Sequence, residues 1–214
     1  MTRPNLVTRF HVLEFGVLVA ITLTALVKVP LDEELSMHWN ANGLIDWAWP
    51  PLLAFAILPL IGALTVVVSA TLSARADKYR LEMVRHVLEP ALTVVLGIAV
   101  ALQFGLLLLG LNSDFDIIRL VAFAVAAGLL VLGILLREAQ RHTYAGLRLP
   151  WAIPGDEAWS RVHVLAGWAY IAAAITLGLL ATFQPFPGTL IVALPVVLVL
   201  PVVFARLASF SGAK

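Results

Sequence analysis

Six long apolar runs restrict this chain to very few folds. Each run has the roughly 20 residues that a helix needs to cross the approximately 30 Å hydrocarbon core of a bilayer. The runs are 10–29, 51–73, 88–111, 116–137, 163–183 and 187–208. Lipid offers no hydrogen-bond partner to the backbone, so runs of this length are expected to be helical. The sequence therefore predicts an all-α polytopic membrane protein with six transmembrane helices.

The composition agrees with a membrane location. Hydrophobic residues make up 61% of the chain and charged residues 13%, whereas soluble domains are about 45–50% apolar and about 25% charged. The net charge of +1 provides no basic field for nucleic acid. Cysteine is absent, which removes disulfides and thiolate metal sites. The first run lacks a cleavage pattern, so we expect a span rather than a signal peptide. Residues 1–214 are interpreted as a single six-helix membrane domain.

The distribution of positive charge predicts the orientation. All but two of the 14 Lys and Arg residues lie in, or at the span ends beside, the N-terminus, the loops 74–87 and 138–162, or the C-terminus. The exceptions are Lys28 and Arg119. Loops rich in Lys and Arg stay in the cytoplasm, so both termini are expected to be cytoplasmic. Short links near 112–115 and 184–187 then group the spans into three hairpins, and 30–50 becomes the one large outer loop.

The outer loop 30–50 is acidic and rich in tryptophan, and with the preceding Val29 it reads VPLDEELSMHWNANGLIDWAWP. Asn40, Asn42 and Gly43 predict a turn, because Asn and Gly tolerate a positive φ. Two hypotheses remain open. The loop is a tight acidic cap on the bundle, or it is a recognition surface for a cationic amphipathic peptide, with tryptophans as anchors.

The loop 138–162 on the opposite side predicts ordered extended structure. Pro150 keeps the preceding residue out of the helical region, and Pro154 with Gly155 indicates a turn. Asp156 and Glu157 then begin a helix at its favourable positive end. This loop is either a structural clasp between the second and third hairpins or a docking surface for a soluble partner.

A short motif recurs at the cytoplasmic start of each hairpin. HVLE stands at 11–14 and at 86–89, and HVLA stands at 163–166. Residues three apart share a helix face, so the topology would bring these side chains to one membrane level. The candidate metal ligands are His11, Glu14, His86, Glu89 and His163.

Three interpretations of this set stay open. His and carboxylate ligands suit zinc, and a zinc site with an open position would make the protein a membrane-embedded metal-dependent hydrolase. A buried Glu and His could instead relay protons in a small transporter. The third interpretation is a hydrogen-bonded polar cluster with Arg9, Arg85 and Arg161. No familiar catalytic motif is present, so no catalytic residue is assigned.

Both loops resemble those of the SdpI family of bacterial membrane proteins. The outer signature is matched by Pro30, His38, Trp39, Asn40, Gly43 and Asp46. The cytoplasmic signature is matched by Gly146, Arg148, Pro150, Trp151, Trp159, His163 and Gly167. The family usually has Asn where His142 stands and Thr where Leu149 stands.

The resemblance implies a location and a role. It implies a multi-pass protein of the bacterial inner membrane that gives immunity against a secreted peptide toxin. It also implies signal transduction, in which the protein holds a cytoplasmic repressor at the membrane. The candidate peptide-binding residues are then His38, Trp39, Asn40, Gly43 and Asp46.

Overall fold

The computed structural model describes residues 5–139, 153, 155–183 and 186–210, without the side chains of residues 208 and 210. Its helices are α1 (Arg9–Lys28), α2 (Pro51–Arg75), α3 (Lys78–Gly110), α4 (Ile117–Arg137), α5 (Gly155–Phe183) and α6 (Pro187–Phe210). All six are long and apolar enough to cross a bilayer. The prediction of an all-α polytopic membrane protein is confirmed.

Two helices begin earlier than their apolar runs. α3 starts at Lys78 rather than at residue 88, and only Ala76 and Asp77 separate it from α2. The predicted loop 74–87 is therefore wrong. α5 likewise starts at Gly155 rather than at residue 163. With 33 residues, α3 is about 50 Å long at about 1.5 Å per residue. It is longer than a bilayer core is thick, so its polar first turns extend beyond the apolar span.

Residues 30–50 contain a β-hairpin, which was not among the predicted elements. Its antiparallel strands are β1 (Leu35–Trp39) and β2 (Ile45–Trp49). The turn lies where it was predicted. Asn40 Oδ1 accepts the backbone N–H groups of Asn42 at 2.9 Å and Leu44 at 3.2 Å, and Gly43 adopts a φ of +77°. A side-chain amide that bonds its own turn and a glycine with positive φ are typical of such connections.

The helices follow one another as hairpins, but they pack in two groups of three. The first group comprises α1, α2 and α3, and the second comprises α4, α5 and α6. Each group has its own core of buried apolar side chains. The groups meet through the contact between α3 and α4. Among the described helices, α4 and α5 share the most extensive contact.

A buried glutamine joins the three helices of the first group. Gln103 of α3 is fully buried, and its Nε2 donates to Thr22 Oγ1 of α1 at 2.9 Å and to the Phe55 carbonyl of α2 at 3.1 Å. The Thr22 hydroxyl donates to the Leu18 carbonyl at 2.9 Å, so its oxygen is free to accept. Polar side chains of this kind commonly hold helices together in membranes.

The β-hairpin covers one end of both groups, which we call the hairpin end; the opposite end is the terminus end. Leu35 and Met37 of β1 pack on the core of the first group, and Trp39 packs on the core of the second. The turn also touches the start of α6, where a side chain on Gly188 would overlap the Ala41 carbonyl. The hairpin is therefore fixed to both groups.

Candidate functional site

The outward face of the β-hairpin carries a histidine–carboxylate pair. His38 Nδ1 lies 2.5 Å from Asp46 Oδ1, and both side chains are exposed. Because a carboxylate oxygen accepts, the histidine Nδ1 is the donor. Trp47, the register partner of His38, is 61% exposed and meets Trp49 edge to face at a centroid distance of 5.7 Å. These side chains form an exposed polar and aromatic surface.

The other predicted peptide-binding residues occupy structural positions. Asn40 and Gly43 build the turn. Trp39 points inward, because alternate residues of a strand face opposite sides, and it packs on the second core. A partner at this face therefore meets His38 and Asp46 of the predicted set. It also meets Trp47, an exposed tryptophan of the outer loop that was not among the predicted peptide-binding residues.

The hairpin end is strongly acidic. Six exposed carboxylates surround it, three before β1, one on β2 and two in the link from α3 to α4. They are Asp32, Glu33, Glu34, Asp46, Asp114 and Asp116. The basic side chains at this end in the described part of the chain are Lys28 and Arg119, and Arg119 pairs with Asp116 at 3.3 Å. The surface therefore favours positively charged partners.

At the terminus end, the described part of the second signature ties α5 to α4. The rings of Trp159 and His163 stack at 4.0 Å with an interplanar angle of 24°. His163 Nδ1 lies 2.8 Å from the Trp159 carbonyl and must donate to it. Trp159 Nε1 in turn donates to the carbonyl of Ala139, just after α4, at 3.1 Å. We call these contacts between α4 and α5 the clasp. Residues 140–152, which form much of the loop for which a structural clasp was predicted, lie outside the described residues.

The clasp continues at Gly167, where the backbones of α4 and α5 touch. A Cβ on Gly167 would lie 2.6 Å from the Gly133 carbonyl oxygen and 2.6 Å from Arg137 Cγ. The Arg137 guanidinium lies 4.2 Å from the centroid of the Trp168 ring, in cation–π geometry. The remaining signature residues, Gly146, Arg148, Pro150 and Trp151, lie outside the described residues.

A comparison with known families identifies this segment. The model described as the SdpI/YfhL protein family matches residues 138–208. This segment of the chain is therefore similar to the SdpI family. The match includes the described clasp residues Trp159, His163 and Gly167, but the β-hairpin lies outside it. No curated protein and no solved structure matches the chain.

The histidines of the repeated motif do not form a common cluster. The described residues contain no group of three His, Asp or Glu side chains that could hold a metal ion. The predicted cluster of histidines and glutamates does not form because helices α1 and α5 pack in different groups. α1 contacts α2 and α3, whereas α5 contacts α4 and α6. Each histidine therefore lies in a different environment, and the predicted His and Glu ligands do not come together as one metal-binding group in the described part of the chain.

His11 closes the start of α1. It is 1% exposed, and its Nδ1 accepts the backbone N–H of Thr8, the N-cap, at 3.0 Å. A Glu or Gln at this third helical position makes the same reciprocal bond in a capping box. Neutral His11 then carries its proton on Nε2, which donates to Thr93 Oγ1 of α3 at 2.9 Å. His11 is thus a structural link between α1 and α3.

The second copy of the motif lies at the surface. His86 is exposed, and its Nε2 lies 3.5 Å from Glu138 Oε2. Glu89 accepts from Arg85 of the same helix at 3.0 Å. Arg161 similarly bonds Glu157 at 2.9 Å. These are local surface pairs of small energetic value, rather than the joint polar cluster considered from the sequence.

Glu14 is the exception among these carboxylates. It is half-buried on the face of α1 that meets Gly97 of α3. Its Oε2 is buried and has no hydrogen-bond partner in the described part of the chain. Glu14 thus faces α3, but the facing Gly97 offers it no polar side chain.

Proposed function

We propose that this protein is a member of the SdpI family and an immunity protein that receives a secreted cationic antimicrobial peptide at its hairpin end. The observation that carries the proposal is the acidic β-hairpin fixed on both three-helix groups. In this proposal the chain lies in the bacterial inner membrane with both termini in the cytoplasm, as the positive-inside rule indicates.

Charge and aromatic chemistry support a cationic amphipathic partner. The carboxylates of the hairpin end raise the local concentration of a positively charged peptide and steer its approach. Trp47 offers a large exposed ring beside the His38–Asp46 pair, and tryptophan is among the side chains that contribute most to binding at interfaces. A peptide held here is kept from inserting into the bilayer.

The fold also supports a signalling role through a cytoplasmic repressor. The hairpin touches the first group through β1 and the second group through Trp39 and Gly188. A peptide bound to the hairpin therefore favours whichever relative arrangement of the two helix groups binds the peptide more tightly. At the terminus end, the polar start of α3 presents Tyr79, which is 75% exposed, among basic side chains. This end is the proposed docking site of the regulator.

Expression in a peptide-sensitive bacterium tests the proposal. Cells carrying the wild-type chain should survive exposure to secreted cationic peptides better than cells with an empty vector. A variant with Glu33→Gln, Glu34→Gln and Asp46→Asn should lose most of this protection, because three exposed charges are removed while the side-chain shapes are kept.

The matched control neutralises exposed carboxylates at the terminus end, with Glu82→Gln and Glu157→Gln. This variant should protect as well as the wild-type chain. Equal survival of wild-type and empty-vector cells against every peptide, at confirmed expression, would contradict the proposal.

A further inference from the structure

An apolar cavity lies directly beneath the β-hairpin. It has a volume of about 190 Å³ and is roofed by Met37 and Trp39 of β1. Its walls include Ile57 of α2, Leu102 of α3 and Val121 of α4. For scale, an engineered apolar cavity of about 150 Å³ accepts benzene. This cavity therefore has room for one large apolar side chain rather than for a whole peptide.

Exposed carboxylates adjoin the segments that line the cavity on two sides, and we call them the acidic rim. Glu33 and Glu34 directly precede β1, whose Met37 and Trp39 line the cavity. Asp116, which pairs with Arg119, directly precedes the lining residue Ile117 at the start of α4, and Asp114 lies two residues before Asp116. An apolar cavity beside these carboxylates suits an apolar group flanked by positive charges. It disfavours anionic lipid, because the rim would repel the headgroup.

We propose that this cavity is the anchor site for a single large apolar side chain, such as Leu, Phe or Trp, of the cationic peptide. The inference rests on the proposed function and adds where and how the peptide is held. The basic residues of the peptide lie against the acidic rim, and one apolar residue enters beneath β1. A lipid acyl chain is the rival occupant, but it would gain nothing from the carboxylates.

Photo-crosslinking to the full chain in phosphatidylcholine nanodiscs tests this inference. The probe is a synthetic amphipathic helix of leucine and lysine with one leucine replaced by photo-leucine. Adducts on the wild-type protein should map to cavity residues, including Met37 and Val121. A peptide of leucine and glutamate with the same length and label should give no adducts there.

A cavity-filling variant gives an independent measurement. Ile57→Trp places an indole in the cavity and should weaken binding of the leucine–lysine peptide about tenfold, the usual order for loss of an apolar side-chain pocket. The control is Ile61→Trp, one turn further along α2, where the residue is 48% exposed. Its affinity should equal that of the wild-type chain.

The outcomes separate the inference from the proposed function. If the peptide binds but its adducts lie outside the cavity, or if Ile57→Trp binds like wild type, the anchor site is wrong and peptide reception stands. Absence of binding to the wild-type chain overturns both. Labelling of the cavity by photo-reactive phosphatidylcholine at saturating peptide assigns the cavity to lipid and overturns the inference. If Ile57→Trp does not fold, the adduct map alone decides.

Discussion

Single side chains join α1 to the rest of the first group. His11 bonds the N-cap of its own helix and the hydroxyl of Thr93 on α3. Gln103 makes the corresponding contacts nearer the hairpin end. The first copy of the repeated motif is therefore explained by capping and helix packing. The third copy, at His163, stabilises the clasp. The copies of the motif are similar in sequence, but their histidines have different structural roles.

A double-mutant cycle tests the bond between His11 and Thr93. His11→Leu and Thr93→Val should each destabilise the protein, and their coupling energy should be about 0.6–1.7 kcal/mol, as for hydrogen bonds between membrane helices. Unfolding in detergent micelles measures it. His86→Leu, at an exposed position, is the control and should have little effect. A coupling energy near zero would show that this bond does not stabilise the fold.

Glu14 should be a source of instability. Its Oε2 is buried without a partner in the described part of the chain, and an ionisable group within a span is costly. Glu14→Leu should therefore raise the free energy of unfolding by about 1–2 kcal/mol, less than the cost at the bilayer centre because the residue is near one end. The free energy of unfolding of Glu14→Gln should lie between those of the wild type and Glu14→Leu. A lower stability of Glu14→Leu in the same unfolding measurement would indicate that the carboxyl has a stabilising partner.

At the level of helices and strands, the spans were predictable because an apolar run is a local property of the sequence. The early start of α3 was missed, since polar helical turns beyond the bilayer carry no apolar signal. The start of α5 was predicted from Asp156 and Glu157, which lie in its first turn. The β-hairpin did leave a signal: Leu35, Met37 and Trp39 alternate with polar residues before an Asn–Gly turn. That pattern was interpreted only as a turn.

Only part of the candidate site was predictable, because only part of it depends on the local sequence. The turn at Asn40 and Gly43 depends on local chemistry, so the sequence indicated it. Which face each tryptophan occupies depends on strand register, so the inward position of Trp39 could not be predicted without the hairpin. Convergence of the histidines depends on which helices pack together, and a short shared motif does not report that.

The close contact of α4 and α5 should tolerate no added side chain. Gly167→Ala places a Cβ 2.6 Å from the Gly133 carbonyl oxygen, and overpacking of this kind costs about 1–3 kcal/mol. The control is Gly178→Ala on the same helix, where a Cβ meets nothing within 4 Å. That variant should be neutral or slightly more stable, since alanine favours helix. Equal thermal stabilities of the two variants would contradict the contact.

For the protein as a whole, the chain is two three-helix groups joined by α3 and α4 and bridged by the β-hairpin. This arrangement was not evident from connectivity, which groups the same helices as three hairpins. It places the acidic surface at one end and the clasp at the other. Any communication between a peptide and a regulator must therefore pass along the helices.

The orientation can be tested without background labelling, because the chain contains no cysteine. Asn42→Cys, in the exposed hairpin turn, should react with a membrane-impermeant maleimide on intact cells. Tyr79→Cys, at the exposed start of α3, should react only after the cells are permeabilised. The reverse pattern would place the acidic hairpin in the cytoplasm and contradict the expected topology.

The most direct test is equilibrium binding of the leucine–lysine peptide to the full chain in phosphatidylcholine nanodiscs. The account predicts saturable binding that weakens as salt is raised, because salt screens exposed charges. It also predicts about tenfold weaker binding to the Glu33→Gln, Glu34→Gln, Asp46→Asn variant, from loss of roughly 0.5 kcal/mol per surface charge. Binding that is independent of salt and unchanged in this variant would contradict peptide reception by the acidic hairpin.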